Sequence, residues 1–357
     1  MSLPVTSDSL PVTSTLRVSV VIPTHNPRMD FLARVLDALR QQTLPYEQWE
    51  LLVVDNGSRV PLKAGAGQQD NRSAGPQDCG TSLPSHVPTF PPSTTHLDLS
   101  WHSHARIVRE EALGLTNARL RGFVETTGEI VVLVDDDNVL APDYLEQVVR
   151  IAREYPFLGT WSGALELELE PGSQDPPQEL RHLLCERRPS KDVWSNDRSN
   201  FAATPWGAGE CIRREVAIAY AAKVAKEPRR CQLDLQGEQL VYGGDTDIAY
   251  TGLEMGLGMG VFTSLRITHL TPKSRCTEEY LLKNYEAHAY SEVLHHWVDH
   301  GTIPKQRTDL RGRLGELARR LLGSPLERKM SAARSQGLKA AQMFLDGGKD
   351  GKAGNKG

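Results

Sequence analysis

The chain has 357 residues, 39% of them hydrophobic and 24% charged, and its formal net charge is −4 at pH 7. This composition is typical of a folded globular protein longer than the usual single domain, and the weakly negative charge gives no electrostatic reason to expect nucleic acid as a partner. No apolar run approaches the ~20 residues that a membrane-spanning helix needs.

The start of the chain predicts a flexible tail followed by a strand, a helix and a strand. Residues 1–16 are rich in Ser, Thr and Pro, and we expect them to be flexible. "RVSVVIPTHN" (17–26) predicts a buried strand, "PRMDFLARVLDALRQQ" (27–42) a helix, and "WELLVVDNGS" (49–58) a second strand. This order is that of a βαβ unit, which favours a parallel sheet.

A second group of elements ends in an unusual run of acidic residues. Residues 59–95 are rich in Gly, Pro, Ser and Gln, and predict a disordered or loosely packed insertion. After it, "ARIVREE" (105–111) predicts a strand, "LTNARLRGFVETT" (115–127) an amphipathic helix, and "GEIVVLVDDD" (128–137) a strand that runs into three aspartates. Ligands bind at the carboxyl ends of strands in open α/β sheets, so we expect a site there.

The second half mixes strands and helices in a less regular order. "GTWSGALELELE" (159–170) predicts a strand, and "TPWGAGECIRREVAIAYAAKVAK" (204–226) a Gly-rich turn that enters a helix. "YGGDTDIAYTGLEMGLGMGVF" (242–262) predicts a polar turn, a helix and a short strand. "RITHLTP" (266–272) predicts a further strand, after which a basic loop and a long helix follow.

The C-terminal part predicts a basic helical extension at 301–345 and a disordered tail at 346–357. Its amphipathic character allows two interpretations. It packs on the preceding domain with a wet face, which we favour, or it makes peripheral contact with the inner face of an anionic membrane, where a lipid-linked acceptor would be present. The basic residues concerned are Arg311, Arg313, Arg319, Arg320, Arg328 and Lys329.

A cytoplasmic location is expected. The N-terminus lacks the basic segment and the apolar stretch of a secretory signal. The odd and scattered set of cysteines has no CxxC pair, which predicts free thiols in a reducing compartment and argues against zinc. These are Cys79, Cys185, Cys211, Cys231 and Cys276.

The aspartates Asp135, Asp136 and Asp137 favour a metal site. One of them could cap the helix that follows, but a cap needs a single side chain and leaves two carboxylates unexplained. Adjacent carboxylates repel each other unless a cation lies between them. Ligands that are all oxygen favour Mg²⁺ or Mn²⁺, which commonly bridge phosphate oxygens, so a nucleotide diphosphate is the expected partner.

Seven segments, in this order and spacing, resemble family 2 glycosyltransferases, which are inverting enzymes of the GT-A fold. The resemblance covers about residues 17–300. It implies an α/β fold with a mixed, mainly parallel Rossmann-like sheet flanked by helices, and a cytoplasmic enzyme that transfers a sugar from a nucleotide-activated donor. The segments are "VSVVIPTHN", "LLVVDNGS", "GLTNARLRG", "IVVLVDDD", "WGAGECIRREV", "GGDTDIAYTGLEMG" and "THLTPKSR".

For the donor side, the resemblance implies contacts at several strand ends. Pro23, Thr24 and Asn26 would form the wall beside the base. Asp55 would hydrogen-bond a uracil ring, although a turn role for this residue stays open. Arg119 would face the nucleotide or the sugar phosphate, with a solvated helix arginine as the alternative.

The resemblance also assigns the acidic run, which corresponds to the DXD motif of the family. Asp135 would reach the ribose or the sugar, and Asp136 would be intermediate between Asp135 and Asp137. Asp137 would bind the metal directly, with His269 as a further ligand, although a lone histidine at a strand end is often structural. Lys273 and Arg275 would close over the diphosphate as it leaves unless they form only a solvated basic loop.

For the acceptor side, the resemblance implies a general base and two contact residues. Asp245 matches the catalytic aspartate, but Gly244 stands where the family usually has a glutamate. Asp245 could instead cap its helix, with Asp247 as the second candidate base. Trp206 would stack on an acceptor sugar unless it packs the core, and Glu210 would bind acceptor hydroxyls.

The prediction is therefore an inverting, metal-dependent transferase that moves a sugar, expected from a UDP-sugar, to a hydroxyl of a glycan or lipid-linked acceptor in polysaccharide or glycoconjugate biosynthesis. Two alternatives stay open. A catalytically silent relative would bind nucleotide sugar or glycan as a scaffold, and Gly244 is the feature that favours it. A metal-dependent nucleotidyltransferase would need a Gly-rich phosphate loop after the first strand, and "PTHNPRMD" is not one.

Overall fold

The computed structural model describes residues 16–65, 95–234, 240–304 and 323–350. Most of the predicted insertion and part of the basic C-terminal extension, including Arg311, Arg313, Arg319 and Arg320, lie outside these residues. Cys79 lies outside them as well.

Strands and helices alternate through the first part of the described chain and less regularly after it. The strands are β1 Val18–Thr24, β2 Trp49–Asn56, β3 Leu62–Ala64, β4 Thr95–Leu97, β5 Ala105–Glu110, β6 Ile130–Leu133, β7 Asn138–Leu140, β8 Leu158–Leu169, β9 Val193–Ser195, β10 Cys211–Arg213 and β11 Gly258–Thr271. The α-helices are α1 Met29–Arg40, α2 Leu115–Glu125, α3 Tyr144–Glu154, α4 Arg214–Lys226, α5 Gly244–Glu254, α6 Glu278–His300 and α7 Pro325–Asp350.

One mixed sheet organises the molecule, with the strand order β5-β2-β1-β6-β10-β8-β11-β7 and β9 paired to β11. The strands β5, β2, β1 and β6 are parallel neighbours, as the βαβ pattern predicts. The antiparallel pairings all involve one of the short strands β7, β9 and β10. The predicted α/β architecture, with a mixed sheet flanked by helices, is confirmed.

The sheet is covered on both faces, which is why its central strands are continuous apolar runs rather than alternating ones. Along β1, Val20 and Ile22 point to the face covered by α1 and α3. Val21 points to the opposite face, where α2, α4 and α5 pack. Since both faces are closed, a polar ligand can approach this part of the sheet only at the strand ends.

Two parts of the second half differ from the prediction. The turn before α4 contains a strand, β10, which lies between β6 and β8 and is antiparallel to both. Three residues between a Gly-rich turn and a helix carry no periodic signal, so sequence alone does not reveal it. The two strands predicted at 242–262 and 266–272 are one long strand, β11, because its ladder with β8 continues across a register shift between Phe262 and Arg266.

The C-terminal helix α7 packs along α6. Leu345 and Ala341 of α7 lie in one buried cluster with Val293, Leu294 and Val298 of α6. The part of the extension that the structure describes therefore packs on the domain, in agreement with the first of the two interpretations. Within the described residues, no helix combines the length and the apolar character needed to cross a membrane.

Candidate functional site

Strand pairing brings the aspartate run and His269 together. β6 ends at Leu133, and the chain turns through the three aspartates into β7, which pairs antiparallel with β11. In that register Asn138 lies opposite His269, and the Leu270 N–H donates to the Asp137 carbonyl at 2.9 Å. The histidine thus reaches the acidic run through the edge strand β7.

The three aspartates have three different environments. Asn138 Nδ2 donates to Asp135 at 3.0 Å, and the Thr24 hydroxyl donates to Asp136. Asp137 Oδ2 lies 3.3 Å from His269 Nε2 and 3.1 Å from Arg275 Nη1. Burial raises the pKa of Asp136 to about 7, and the neighbouring Asp137 carboxylate adds to this effect. Burial alone would also raise the pKa of Asp137, but His269 and Arg275 outweigh it and lower that pKa.

His269 is oriented for binding through Nε2. Its Nδ1 lies 3.0 Å from the Leu184 carbonyl, so the proton sits on Nδ1 and Nε2 faces Asp137. Such an outer hydrogen bond is what orients metal-binding histidines in proteins. Burial lowers the pKa of His269, but the Asp137 carboxylate outweighs burial and the net pKa is raised.

Asp137 and His269 fit a divalent cation as two neighbouring ligands. Their facing atoms are 3.3 Å apart, close to the spacing of two ligands about 2.1 Å from one ion. Among the described residues, no three His, Cys, Asp or Glu side chains form a complete metal-binding group. A cation here would therefore take its other ligands from phosphate oxygens and water, as Mg²⁺ commonly does.

Of the two basic residues in the loop after β11, Arg275 contacts the acidic run and Lys273 is exposed. Arg275 pairs with Asp137, as described above. Lys273 is exposed, and its backbone N–H donates to Glu170 at 3.0 Å. Of the two residues predicted to close over the diphosphate, only Arg275 contacts the acidic run.

The end of β1 contributes a wall and a link between loops. Pro23 is buried in the ladder with β2, and Thr24 contacts Asp136. Asn26 is exposed and adopts a left-handed backbone, with φ of 50°. Its N–H donates to the Ser58 hydroxyl at 2.9 Å and its Oδ1 accepts from the Arg59 N–H at 2.8 Å, so it joins the turns after β1 and β2.

Asp55 has a turn role in the structure, and its buried carboxylate accepts hydrogen bonds from its own turn and from Arg109. It is 1% exposed. Its Oδ1 accepts from the Ser58 N–H at 3.0 Å, and its Oδ2 accepts from Leu62 N–H at 3.1 Å and from Arg109 Nη1 at 2.8 Å. The turn interpretation holds, and the hydrogen bond from this carboxylate to uracil stays a prediction.

Arg119 is neither solvated nor free. It is 4% exposed, and its Nη1 donates to Asp234 Oδ2 at 2.7 Å. Burial would lower its pKa, but the surrounding carboxylates, foremost Asp234 and then Asp245 and Asp135, outweigh burial and raise it. Asp135 of the acidic run and Asp245 therefore both act on Arg119, and its own ion pair is with Asp234.

Asp245 lies at the start of α5 but does not cap it. The N-cap position is Gly243, and no side chain caps the helix there. Instead Asp245 Oδ2 accepts from the Gly207 N–H at 2.8 Å, and Oδ1 accepts from the Thr246 N–H at 2.7 Å. The alternative base, Asp247, is fully buried and pairs with Arg230 at 2.6 Å, so it cannot meet an acceptor.

The two predicted acceptor residues have different positions. Trp206 is half-buried, and the Arg187 guanidinium lies 4.6 Å from its ring centroid, so one ring face is already covered. Glu210 is 0% exposed, and neither of its carboxyl oxygens has a hydrogen-bond partner. Burial raises the pKa of Glu210 well above its usual range. The prediction that Glu210 binds acceptor hydroxyls stays a prediction, and its side chain is buried in this structure.

Two residues of the site carry no sequence signal that would have identified them. Asp234 is a lone aspartate in "CQLDLQ", and only the tertiary structure places it against Arg119. Arg187 donates to the carbonyls of Thr204 at 2.7 Å and Ala202 at 2.6 Å, and so holds the loop that precedes Trp206.

The family model described as glycosyl transferase family 2 matches residues 19–69 and 97–196. Over these residues the chain is similar to glycosyltransferase family 2. The matched ranges contain the β1 and β2 strand ends, Arg119 and the acidic run. The remaining site residues, Asp245 and His269 among them, lie C-terminal to the match.

Further similarities link this chain to other proteins at low identity. An uncharacterised protein, y4gI, of Sinorhizobium fredii (strain NBRC 101917 / NGR234) is 26% identical over 140 residues, which are 39% of this chain and 12% of that protein. The solved structure of S. aureus TarS 1–349 is 12% identical with a TM-score of 0.44, and the similarity covers 94% of this chain and 92% of that one. The complex of TarS 1–349 with UDP-GlcNAc is also 12% identical, with a TM-score of 0.43 and the same coverage.

Proposed function

We propose that this glycosyltransferase is an inverting enzyme that transfers a sugar from a nucleotide-diphosphate sugar to a hydroxyl of a glycan or lipid-linked acceptor. One observation supports the proposal above the others. The buried Arg119 guanidinium interacts electrostatically with Asp135 of the acidic run and with Asp245, since both carboxylates contribute to its raised pKa. A group suited to hold a diphosphate and a group suited to accept a proton thus both act on one buried cation.

Asp245 serves as the general base in this proposal. The Gly207 N–H holds its Oδ2 at 2.8 Å, which fixes the orientation of the carboxylate at the start of α5. The acceptor hydroxyl passes its proton to this carboxylate while its oxygen attacks the anomeric carbon. Attack from the side opposite the departing diphosphate inverts the anomeric configuration.

The departing diphosphate lies at the acidic run. We assign Asp137 and His269 as the protein ligands of Mg²⁺ or Mn²⁺, since their facing atoms have a suitable spacing of 3.3 Å. The cation, when bound, would neutralise negative charge on the diphosphate. Arg275 adds a second positive charge, and its contact with Asp137 in the ligand-free arrangement would give way to contact with phosphate oxygens.

The nucleobase of the donor is a separate question, because the Asp55 carboxylate accepts hydrogen bonds from the turn that contains it. UDP stays the expected nucleotide, and a melting-temperature panel of UDP, GDP and TDP with and without Mn²⁺ tests it. A shift with UDP that requires Mn²⁺, and that Asp137→Ala abolishes, supports the donor assignment. The same metal-dependent shift with GDP or TDP would mean that the donor carries a different nucleobase but is still a nucleotide-diphosphate sugar.

Replacement of the proposed general base, Asp245, tests the reaction itself. With a donor that stabilises the protein, Asp245→Asn should lower transfer or donor hydrolysis at least about 100-fold, because an amide cannot take the proton. The metal-dependent shift of the melting temperature should remain. Asp98→Asn, which changes an exposed aspartate before β5, is the matched control and should keep wild-type activity. Full activity of Asp245→Asn would remove Asp245 as the base. No activity and no nucleotide shift in the wild type would favour the silent scaffold.

A further inference from the structure

Gly244, the first residue of α5, is a glycine because another side chain occupies its space. Its neighbour Gly243 has a φ of 134°, but Gly244 is not among the residues with positive φ. A Cβ on Gly244 would lie 2.2 Å from Asp234 Oδ2 and 2.6 Å from Asp234 Cγ. The carboxylate of Asp234 thus stands where any side chain at position 244 would extend.

Asp234 is buried and held in place by two donors. It is 5% exposed, and its Oδ2 accepts from the Thr116 hydroxyl at 3.1 Å and from Arg119 Nη1 at 2.7 Å. Both donors belong to α2, so this carboxylate joins α2 to the start of α5. Burial raises the pKa of Asp234 to about 6, while Arg119 acts in the opposite direction, and the group is therefore ionised at neutral pH.

The same arginine lies close to Asp245. A Cβ on Gly207 would lie 2.7 Å from Arg119 Nη2 and 3.5 Å from Asp245 Oδ2, so both groups border this one glycine. Arg119 nevertheless makes its close ion pair with Asp234. A carboxylate paired with a guanidinium is held in its charged form and is a weaker base.

We propose that Asp234 is a positioning residue for Asp245. Asp234 provides, from another part of the chain, the second carboxylate that Gly244 cannot carry, and it keeps Arg119 away from the Asp245 carboxylate. This inference rests on the proposed function of Asp245. Four carboxyl groups, those of Asp234, Asp245, Asp135 and Glu210, act on the Arg119 guanidinium, and its close ion pair is with Asp234.

Kinetics of Asp234→Asn test this role. Arg119 should then turn to Asp245, so kcat should fall at least about 10-fold while the KM for the donor stays within about twofold. The acid limb of the pH–rate profile should move to lower pH, because the guanidinium now favours the ionised form of Asp245. Loss of a merely structural contact would not move this limb. Wild-type kcat with an unmoved acid limb would overturn the inference.

Glu50→Gln is the matched control. Glu50 is 3% exposed and, like Asp234, accepts from a hydroxyl and an arginine, Ser19 at 2.9 Å and Arg106 at 2.9 Å, but it lies near the start of β2, far from the strand ends that form the site. This variant should lower the melting temperature and leave the kcat and the pH–rate profile unchanged. An equal change in the acid limb for Glu50→Gln would count against the proposal.

Moving the carboxylate to position 244 is the second test. Asp234→Ala with Gly244→Glu should recover kcat at least about 10-fold over Asp234→Ala alone. Gly244→Glu alone should lower the melting temperature, since two carboxyl groups then compete for one space. Failure of the double variant to exceed Asp234→Ala, with both proteins folded by circular dichroism, would overturn the inference.

A measurement without activity keeps the two proposals apart. Gly244→Ala should lower the melting temperature of the wild type by several degrees and lower it less in the Asp234→Ala background, because the clash is then absent. If these two decreases in melting temperature are equal, Asp234 does not occupy the space of a side chain at position 244, whatever the activity of the enzyme. If the wild type neither transfers nor hydrolyses any nucleotide sugar, the proposed function fails, and the catalytic role of Asp234 fails with it. An active wild type with an unaffected Asp234→Asn removes the role of Asp234 alone.

Discussion

Several buried side chains of the described residues have a polar atom without a hydrogen-bond partner. Glu210 is one of them, and His102 is another. His102 is 0% exposed, its ring centroid lies 4.2 Å from that of Trp49, and its Nε2 has no partner. Burial, with a further contribution from His104, lowers the pKa of His102 to about 4. Between about pH 4 and pH 6.5 the ring is therefore neutral in the folded protein and charged in the unfolded chain.

The pH dependence of stability should report this histidine. The unfolded chain binds the proton below about pH 6.5 and the folded protein only below about pH 4, so the stabilisation is complete above 6.5 and is lost as the pH falls towards 4. Between pH 7 and pH 5 this group should remove about 2 kcal/mol from the free energy of unfolding. Urea unfolding at both pH values measures it. His102→Asn, which keeps an acceptor for the His104 N–H, should remove that part of the loss.

His182→Asn, at an exposed position, is the control and should keep the wild-type difference between pH 7 and pH 5. If His102→Asn and the wild type lose the same free energy of unfolding over this range, His102 does not carry the effect.

At the scale of elements, the contact between β8 and β11 depends on a missing side chain. The ladder shifts its register between Phe262 and Arg266, and the extra residues bring the Leu265 carbonyl over Gly163. A Cβ on Gly163 would lie 2.0 Å from that oxygen and 2.4 Å from Leu265 Cβ. Backbone atoms held in a ladder cannot move aside at low cost. The bulge and this glycine therefore form one unit, which keeps His269 in register with β7.

Gly163→Ala should lower the free energy of unfolding by about 3 kcal/mol or more, in the range of severe overpacking. Gly252→Ala is the matched control inside α5, where the nearest atom to a Cβ would lie 3.7 Å away. In a helix that change should be neutral or should stabilise by about 0.5 to 1 kcal/mol. Urea unfolding of both variants measures the contrast, and equal stabilities would show that the bulge adapts.

At the scale of the whole molecule, the close approach of α7 to α6 also depends on a glycine. A Cβ on Gly337 would lie 2.1 Å from the Glu286 carbonyl oxygen and 3.1 Å from Ala289 Cβ. Ion pairs at the rim, Arg334 with Glu292 at 2.7 Å and Lys329 with Glu278, are exposed and contribute little. The buried seam, rather than these charges, holds the helix pair together.

Gly337→Val should separate α7 from α6, lower the melting temperature by several degrees and make the C-terminal helix a target for limited proteolysis, because the buried seam opens. Met343→Glu, at a position 75% exposed on the same helix, should leave both properties unchanged. Wild-type resistance of Gly337→Val to protease would show that the helix pair tolerates a side chain at the crossing.

The sequence by itself determined most of the strands and helices, though not β10, and predicted which end of the sheet would carry chemistry. Buried strands, amphipathic helices and the acidic run are local patterns, since a strand or helix reveals its buried face through the spacing of its own residues. The tertiary structure alone decided which predicted site residues are available. Asp55 accepts hydrogen bonds from its own turn, Glu210 is buried, and Asp234 contacts Arg119 and occupies the space next to Gly244. Burial and pairing of these carboxylates depend on side chains from segments far apart in the chain, so no local pattern can encode them.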